Sequence, residues 1–276
     1  SIVQRQQPIT ACFARIRLAL PGQRLDHALA FAAQATHGLP QVEIVTVRRP
    51  DAGGRLSQAH VAETDQGLEV GGKAGGRTRT TEVGADIVCL QEADLRFGTR
   101  ASVLPRFLIE SHTDYIPVPL DVQHDSMGWH GNAILVKRHI SIDAHDIIHI
   151  PCLEPRGVVT ATLGIGGASV SVFGMHLDLS GLWRVRQARA IAALADSARA
   201  ARPTVLMGDL NEWRAGSGCF REFGKHFSVL DPGPSFPSRR PLGRLDRIMH
   251  CGAMRVTGCG VHRSALATAA SDHLPV

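Results

Sequence analysis

Short apolar runs that end in a polar side chain recur along this chain from about residue 85 onward. The run over 85–90 is apolar throughout, which is typical of a strand buried on both faces. Other runs are rich in β-branched residues, and the glycines within 164–167 predict a hairpin turn. The predicted strands cover residues 42–47, 85–90, 131–136, 140–150, 158–163, 170–175, 204–207, 245–249 and about 256–261.

Helical periodicity is clearest over residues 183–201, where apolar side chains share one face. Pro203 ends this helix, because proline cannot continue the hydrogen-bond ladder. Three weaker patterns predict helices over 99–110, 12–20 and 25–35. Many strands in hairpins with few helices favour an α/β sandwich. A parallel nucleotide-binding sheet would instead alternate strands and helices strictly.

Two stretches do not follow this pattern. We predict that residues 1–40 are an N-terminal extension, whose order the sequence does not decide, and that residues 41–276 form the folded domain. Residues 48–84 are polar and glycine-rich, which predicts an atypical loop. The run at 71–78 resembles a phosphate-binding loop, but such a loop needs Gly-Lys-Ser/Thr at its end, so a flexible loop is the better interpretation.

Composition adds few constraints. The chain has 276 residues and a formal net charge of +5, which suits an anionic partner or simply solubility. Its six cysteines include no Cys-x-x-Cys pair, so no disulfide framework is expected. No apolar stretch is long enough to span a membrane and the first residues lack a signal-peptide core, so we expect a cytoplasmic monomer.

Polar side chains at strand ends are the candidate chemistry, because ligands usually bind at such ends. Glu92 closely follows the strand 85–90 and is a candidate ligand for Mg²⁺ or Mn²⁺, which prefer carboxylates and water. An exposed glutamate at a helix start is the alternative. Asp209 and Asn211 would share one face of an extended chain, where they could orient a water and bond a phosphoryl oxygen. A simple turn is the alternative there.

Asp246 and His273 are a candidate acid–base pair. Aspartate is rare inside strands, so the presence of Asp246 within the predicted strand 245–249 needs an explanation. A hydrogen bond from one ring nitrogen of His273 to Asp246 would fix the imidazole tautomer and leave the other nitrogen for proton transfer. His176 also ends a strand, but alone it would be interpreted as an ordinary hydrogen-bonded histidine.

Five motifs occur in the order seen in the endonuclease/exonuclease/phosphatase superfamily, which has the deoxyribonuclease I-like fold. The chain resembles that superfamily from about residue 85 to its C-terminus. Short stretches around Asn132 and Arg156 are similar to its small bacterial metal-dependent hydrolases. The five motifs are Gln91-Glu92, His176-Leu177, Gly208-Asp209-Leu210-Asn211, Leu245-Asp246-Arg247-Ile248 and Ser271-Asp272-His273-Leu274-Pro275.

The resemblance implies an α+β fold: a four-layer α/β sandwich of two packed, mostly antiparallel sheets flanked by helices. It implies Mg²⁺ or Mn²⁺ bound by Glu92 with help from Asp272. Asp209 would orient or activate the attacking water. Asn211 would steady the phosphate, and His176 would stabilise the transition state.

The resemblance also makes Asp246 and His273 the acid–base pair. Asn132 and Arg156 would contact the substrate, with a surface charge as the equal alternative for Arg156. The chain departs from the family in two places. The strand 42–47 lacks the Asn that usually follows it, and the chain stops at Val276, where a closing strand should continue.

We therefore expect a metal-dependent phosphodiester hydrolase that acts by in-line attack of an activated water. Nucleic acid is the first candidate substrate because of the basic charge, although only 5% of residues are aromatic and could stack on bases. A phospholipid or inositol-phosphate head group is the second. Two alternatives come from other classes: a degenerate member that binds an anion without turnover, and a structural α/β domain.

Overall fold

Two six-stranded sheets, each with a mixed but mostly antiparallel order, form the centre of the molecule. The computed structural model describes residues 10–19, 41–45, 83–95, 101–120, 122, 125–251 and 254–276. The predicted helix over 25–35 and most of the glycine-rich segment 48–84 lie outside these residues. Both architecture and layer order agree with the predicted four-layer α/β sandwich.

The first sheet has the order β12-β2-β1-β3-β5-β4. All of its pairs are antiparallel except β12 with β2. Its strands are β1 (Thr10–Ala19), β2 (Gln41–Val45), β3 (Ile87–Gln91), β4 (Tyr115–Pro117), β5 (Ala133–Lys137) and β12 (Met254–Gly258).

The second sheet has the order β10-β11-β9-β8-β7-β6, and only β8 and β9 are parallel. The predicted hairpin between β7 and β8 is present, and it turns at Gly166 and Gly167, both with positive φ. The strands are β6 (Ser141–Ile148), β7 (Gly157–Ile165), β8 (Ala168–His176), β9 (Thr204–Asp209), β10 (Ser228–Leu230) and β11 (Asp246–Cys251).

Four helices lie outside the sheets in the described part of the chain. The longest, α2, crosses over between the parallel strands β8 and β9 and confirms the prediction for 183–201. No described helix is long and apolar enough to cross a membrane. The helices are α1 (Arg106–His112), α2 (Gly181–Ala201), α3 (Gly218–Phe223) and α4 (Ala265–Ala270).

One predicted helix is wrong, and another begins later than predicted. The segment predicted as a helix over 12–20 is strand β1, which pairs with both β2 and β3. Arg15 and Arg17 alternate with apolar residues there, and that period of two indicates a strand. The helix predicted over 99–110 begins only at Arg106. Pro105 precedes it, because proline is tolerated at a helix start but not inside.

Alternation along β3 explains how the layers stack. Ile87 and Cys89 belong to the core between the two sheets, together with side chains of β7, β8 and β9. Val88 and Leu90 face the other way and pack in the cluster that includes Ile109 of α1. The outer face of the second sheet packs in the same manner against α2 and α3. The continuous apolar run at 85–90 is therefore a strand buried on both faces, as predicted.

Candidate active site

Three side chains meet at one edge of the second sheet because their strands pair in register. His176 at the end of β8 pairs with Asp209 at the end of β9. Asp209 pairs in turn with Asp246 at the start of β11. Side chains of cross-strand partners project from the same face. The pairing therefore makes neighbours of one imidazole and two carboxylates that are far apart in sequence.

Gly208 allows β9 to approach β8 closely just before Asp209. Its φ is 152°, a backbone conformation that residues other than glycine rarely adopt. A Cβ at this position would overlap the carbonyl oxygen of Met175. The glycine of the Gly-Asp-Leu-Asn motif therefore serves the strand spacing that brings His176 next to Asp209.

The hydrogen bond predicted between Asp246 and His273 is present. Nδ1 of His273 lies 2.9 Å from Oδ2 of Asp246. Asp246 is 0% exposed, and the same oxygen accepts a hydrogen bond from the hydroxyl of Ser235. Because Nδ1 is held by this carboxylate, Nε2 is left on the side of Asp209, whose Oδ2 is 4.0 Å away. The ring of Phe236 packs on the imidazole, with the ring centroids 4.7 Å apart.

Asp209 lies between two imidazoles. Its Oδ2 is 3.4 Å from Nε2 of His176. Its Oδ1 accepts a hydrogen bond from the backbone N–H of Asn211 at 2.7 Å. Burial raises the pKa of the Asp209 carboxyl, but the hydrogen bond and charge of His176 outweigh burial and lower that pKa to about 2. Asp209 is therefore a carboxylate at neutral pH.

Burial and charge oppose each other in the Asp246–His273 pair. Burial lowers the pKa of His273, but the neighbouring Asp246 carboxylate more than reverses this and raises that pKa to about 9. Burial raises the pKa of Asp246, and the charge of His273 only partly opposes it. A buried carboxylate without a positive partner is costly, so the two groups favour an imidazolium–carboxylate pair.

Asn211 adopts a left-handed backbone conformation with φ of 49°. Asparagine tolerates this conformation better than most residues. Its Nδ2 donates to the carbonyl oxygen of Leu177 at 2.9 Å, which ties the end of β9 to the end of β8. The segment after β9 is thus a turn in which the Asn211 N–H bonds the Asp209 carboxylate, as the turn interpretation predicted, and the chain is not extended through Asn211.

Arg156 is buried against His176, so its interpretation as a surface charge is wrong. The side chain is 6% exposed, and Nη1 lies 2.7 Å from Nδ1 of His176 and also contacts Nε2. Nη1 is also 2.5 Å from Nε2, so the guanidinium lies against both ring nitrogens of the imidazole. Glu154 pairs with the other end of the guanidinium at 3.0 Å.

Asn132 is fully buried where the two sheets meet. Its Nδ2 donates to the carbonyl oxygens of Trp129 at 3.2 Å and Gly157 at 3.1 Å. Gly157 begins β7 beside Arg156, so this amide links the first sheet to the second. Its Oδ1 has no hydrogen-bond partner in the described structure. That oxygen can only accept, so it suits a hydrogen-bond donor of a ligand, such as a sugar hydroxyl, and not a phosphoryl oxygen.

The two predicted metal ligands lie on different parts of the fold. Glu92 follows β3 of the first sheet, with a left-handed backbone at φ 59°. Asp272 is exposed beside His273, and its carbonyl oxygen accepts the N–H of Ser238 at 2.6 Å. No group of three or more His, Cys, Asp or Glu among the described residues could hold a metal. Carboxylate oxygens are the ligands that Mg²⁺ prefers, so each of the two side chains, taken singly, has suitable chemistry for the ion.

Several buried charged residues that the sequence did not single out support these positions. Asp178 accepts the N–H groups of Leu153 and Glu154 and so holds the loop that carries Arg156. Arg184 of α2 pairs with Glu212 at 3.2 Å, just after Asn211. Both carboxylates follow the ends of β8 and β9 by a few residues. Asp178 and Glu212 directly follow two of the polar motifs in the sequence, and this position is the signal that could have identified them.

Asp94 supports the other side of the site. Its carboxylate accepts hydrogen bonds from the Ser126 hydroxyl at 2.7 Å and from the Met127 N–H at 2.9 Å. Gly131, which precedes Asn132, donates to it at 3.3 Å. The loop that leads into β5 is therefore fixed by an aspartate two residues after Glu92.

The structures of other proteins show the same fold at low sequence identity. A functionally unknown conserved protein from Enterococcus faecalis V583 is 18% identical, with a TM-score of 0.54 over 71% of this chain and 84% of that one. D. rerio TDP2 complexed with single strand DNA product is 16% identical, with a TM-score of 0.51 over 71% and 85%. A humanized D. rerio TDP2 is 17% identical, with a TM-score of 0.50 over 71% and 85%.

The sequence comparisons are consistent with this fold. No curated protein matches the chain significantly. The model of the family described as "Endonuclease/Exonuclease/phosphatase family" matches residues 75–273. That match contains the first four motifs whole and the fifth as far as His273. The chain therefore belongs to the endonuclease/exonuclease/phosphatase family.

Proposed function

We propose that the protein is a divalent-metal-dependent phosphodiester hydrolase in which an activated water attacks phosphorus in line with the leaving group. The observation that carries this proposal is the position of Asp209, an ionised carboxylate with the imidazoles of His176 and His273 on its two sides. A water on Asp209 would have a proton acceptor and a polar donor within one small site. Such an arrangement suits hydrolysis of a charged ester.

Asp209 orients the attacking water. A carboxylate whose pKa is about 2 is a weak base, so it accepts a hydrogen bond from water more readily than it removes a proton. Asn211 holds the turn beside it and steadies a phosphoryl oxygen. The 2.7 Å hydrogen bond between their backbone and side chain keeps the two groups in one orientation.

The Asp246–His273 pair moves the proton. Asp246 fixes the imidazole through Nδ1, so that Nε2 exchanges a proton with the water or the leaving oxygen. His176 and Arg156 stabilise the charge that develops on phosphorus, because both are buried donors at the same strand edge. Asn132 contacts the substrate from the first sheet through its unpaired Oδ1.

Glu92, assisted by Asp272, would hold Mg²⁺ or Mn²⁺. The bound ion would neutralise negative charge on the phosphoryl group. The fit rests on the chemistry of the donors, since both are carboxylates and hard divalent ions prefer oxygen ligands. The basic net charge of +5 favours nucleic acid as the substrate, and a phospholipid or inositol-phosphate head group is the alternative.

A panel of phosphodiesters tests this proposal. We expect hydrolysis of bis(4-nitrophenyl) phosphate and of oligonucleotides that requires Mn²⁺ or Mg²⁺ and is abolished in D209A and H273A. Phospholipid vesicles in parallel reactions separate the two substrate classes. Full activity in chelator would refute metal dependence. Binding of Mn²⁺ without any turnover would instead identify a member that binds anions and does not catalyse.

A further inference from the structure

A depression of about 550 Å³ opens on the surface next to α4. We call it the basic depression, because two arginines are its only charged lining residues. Its walls come from the loop after β10 and from the segment around α4. The lining residues are Arg239, Arg263, Ser264, Ala265, Thr268 and Ala269.

Hydrogen bonds connect the basic depression to the candidate active site. Ser238, the neighbour of Arg239, donates its N–H to the carbonyl oxygen of Asp272 at 2.6 Å. Its hydroxyl donates to the carbonyl oxygen of Thr268 at 3.3 Å. Asp272 directly precedes His273. The wall of the depression and the imidazole of the site are therefore held by the same short piece of backbone.

The two arginines have no counter-ion. Both are exposed, and in the described part of the chain neither guanidinium makes a hydrogen bond or an ion pair. Arg244, further along the same loop, is instead paired with Asp231 at 2.5 Å. Two like charges that face one cavity without a carboxylate create a positive potential there. A bound anion would satisfy both guanidinium groups.

We propose that the basic depression binds a second phosphate of the substrate while the scissile phosphate lies beside Asp209. The inference rests on the proposed function and narrows it to substrates that carry at least two phosphates, with a nucleic-acid strand as the source that the charge favours. Guanidinium groups suit this task, because their planar donors match phosphate oxygens in a bidentate manner. The alanines of the lining leave room for the sugar–phosphate chain.

Single and double alanine variants of the two arginines test the proposal. The first measurement is the binding of a fluorescein-labelled single-stranded oligonucleotide in chelator, so that no turnover is needed. For R239A/R263A we expect affinity to fall about tenfold or more and the slope of log K against log salt to decrease by about one to two. Hydrolysis of bis(4-nitrophenyl) phosphate, which carries one phosphate, should stay within about twofold of the wild type, because a group that binds only the remote phosphate does not contact it.

R240A is the matched control. R240A removes one positive charge, as each single variant R239A or R263A does, and Arg240 lies in the same loop as Arg239 without lining the basic depression. The control should bind the oligonucleotide like the wild type. An equal loss in R240A, or unchanged binding in R239A/R263A, would overturn the proposal. Displacement of the labelled oligonucleotide by inositol hexakisphosphate at a far lower concentration than by unlabelled oligonucleotide would assign the second phosphate to a head group rather than to nucleic acid.

The two proposals fail in different ways. If the wild type hydrolyses neither ester with Mn²⁺, the proposed hydrolase function is wrong, yet the binding experiment still decides whether the basic depression holds a phosphate. If both esters are hydrolysed and the double variant loses nothing on the oligonucleotide, only the second-phosphate site is wrong. Thermal unfolding of each variant verifies that these exposed substitutions leave the fold intact.

Discussion

Replacing Gly208 with alanine should displace β9 from β8 at the point where the candidate site is assembled. Gly208 is buried, and its φ of 152° suits glycine alone. The added methyl group would overlap the backbone carbonyl oxygen of Met175. A side chain could rotate away from such a contact, but a carbonyl within a parallel strand pair cannot. The strands must therefore separate.

Two costs add up in this variant. A non-glycine residue in a glycine-only region of backbone space costs about 1–3 kcal/mol. Overpacking a well-packed interior costs about another 1–3 kcal/mol. We therefore expect a loss of about 2–6 kcal/mol and, at about 2–4 °C per kcal/mol, a melting temperature lower by roughly 5–20 °C. A displacement of about 1 Å between His176 and Asp209 would reduce phosphodiester hydrolysis by about 100-fold.

Alanine substitutions at two other glycines distinguish the cost of backbone strain from the cost of steric overlap. Gly167 has a φ of 86° but nothing within 4 Å of an added Cβ, so G167A carries the strain alone. Gly216 has open space and no positive φ, so G216A should be neutral or stabilising by about 0.4–1 kcal/mol. Thermal unfolding by circular dichroism should rank the variants G216A, G167A and G208A from most to least stable. A G208A protein as stable as G167A would refute the argument from strand overlap.

Three further outcomes follow from the buried charges. R184M should lose about 3–5 kcal/mol in urea unfolding, because Glu212 is left as a buried unpaired charge, and R184M/E212M should recover much of it. D246N should lose at least about 100-fold in hydrolysis, since His273 loses its partner, and it should also unfold at lower urea than the wild type because the buried imidazolium loses its counter-charge. Burial raises the pKa of Asp178, but the N–H groups of Ser180, Leu153 and Glu154 outweigh it and lower that pKa. The Asp178 carboxylate therefore stabilises the fold fully above its unfolded-state pKa of about 3.9, and this stabilisation is lost as the pH falls through its pKa in the folded protein. D178N should consequently melt at a lower temperature than the wild type at pH 7 and approach the wild type below about pH 4.

Local patterns in the sequence predicted most of the strands and the contact between Asp246 and His273. An aspartate inside a strand is unfavourable enough to point to a partner, and the partner was found. Register could not be predicted in this way. The pairing of Asp209 with both His176 and Asp246 depends on how three strands align, which no single run of residues encodes.

The burial of polar side chains also could not be predicted from the sequence. Arg156 has the composition of a surface residue, and only the packing of its loop through Asp178 brings it against His176. The strand β1 was missed for a different reason. Its alternation of arginines with apolar residues is visible in the sequence, but the segment was interpreted as a short amphipathic helix, and its pairing with β3 is a long-range contact that the sequence does not show.

The candidate site draws on both sheets, and this division makes it sensitive to changes far from any of its side chains. Glu92 and Asn132 lie on the first sheet, while Asp209 and its neighbours lie on the second. Gly174 of β8 faces Cys89 of β3 across the core, where an added Cβ would come within 3.2 Å of the cysteine sulfur. A larger residue at position 174 would act as a spacer. It would press on Cys89 across the core, which widens the gap between the two halves of the site, and equally on Val159 of its own sheet.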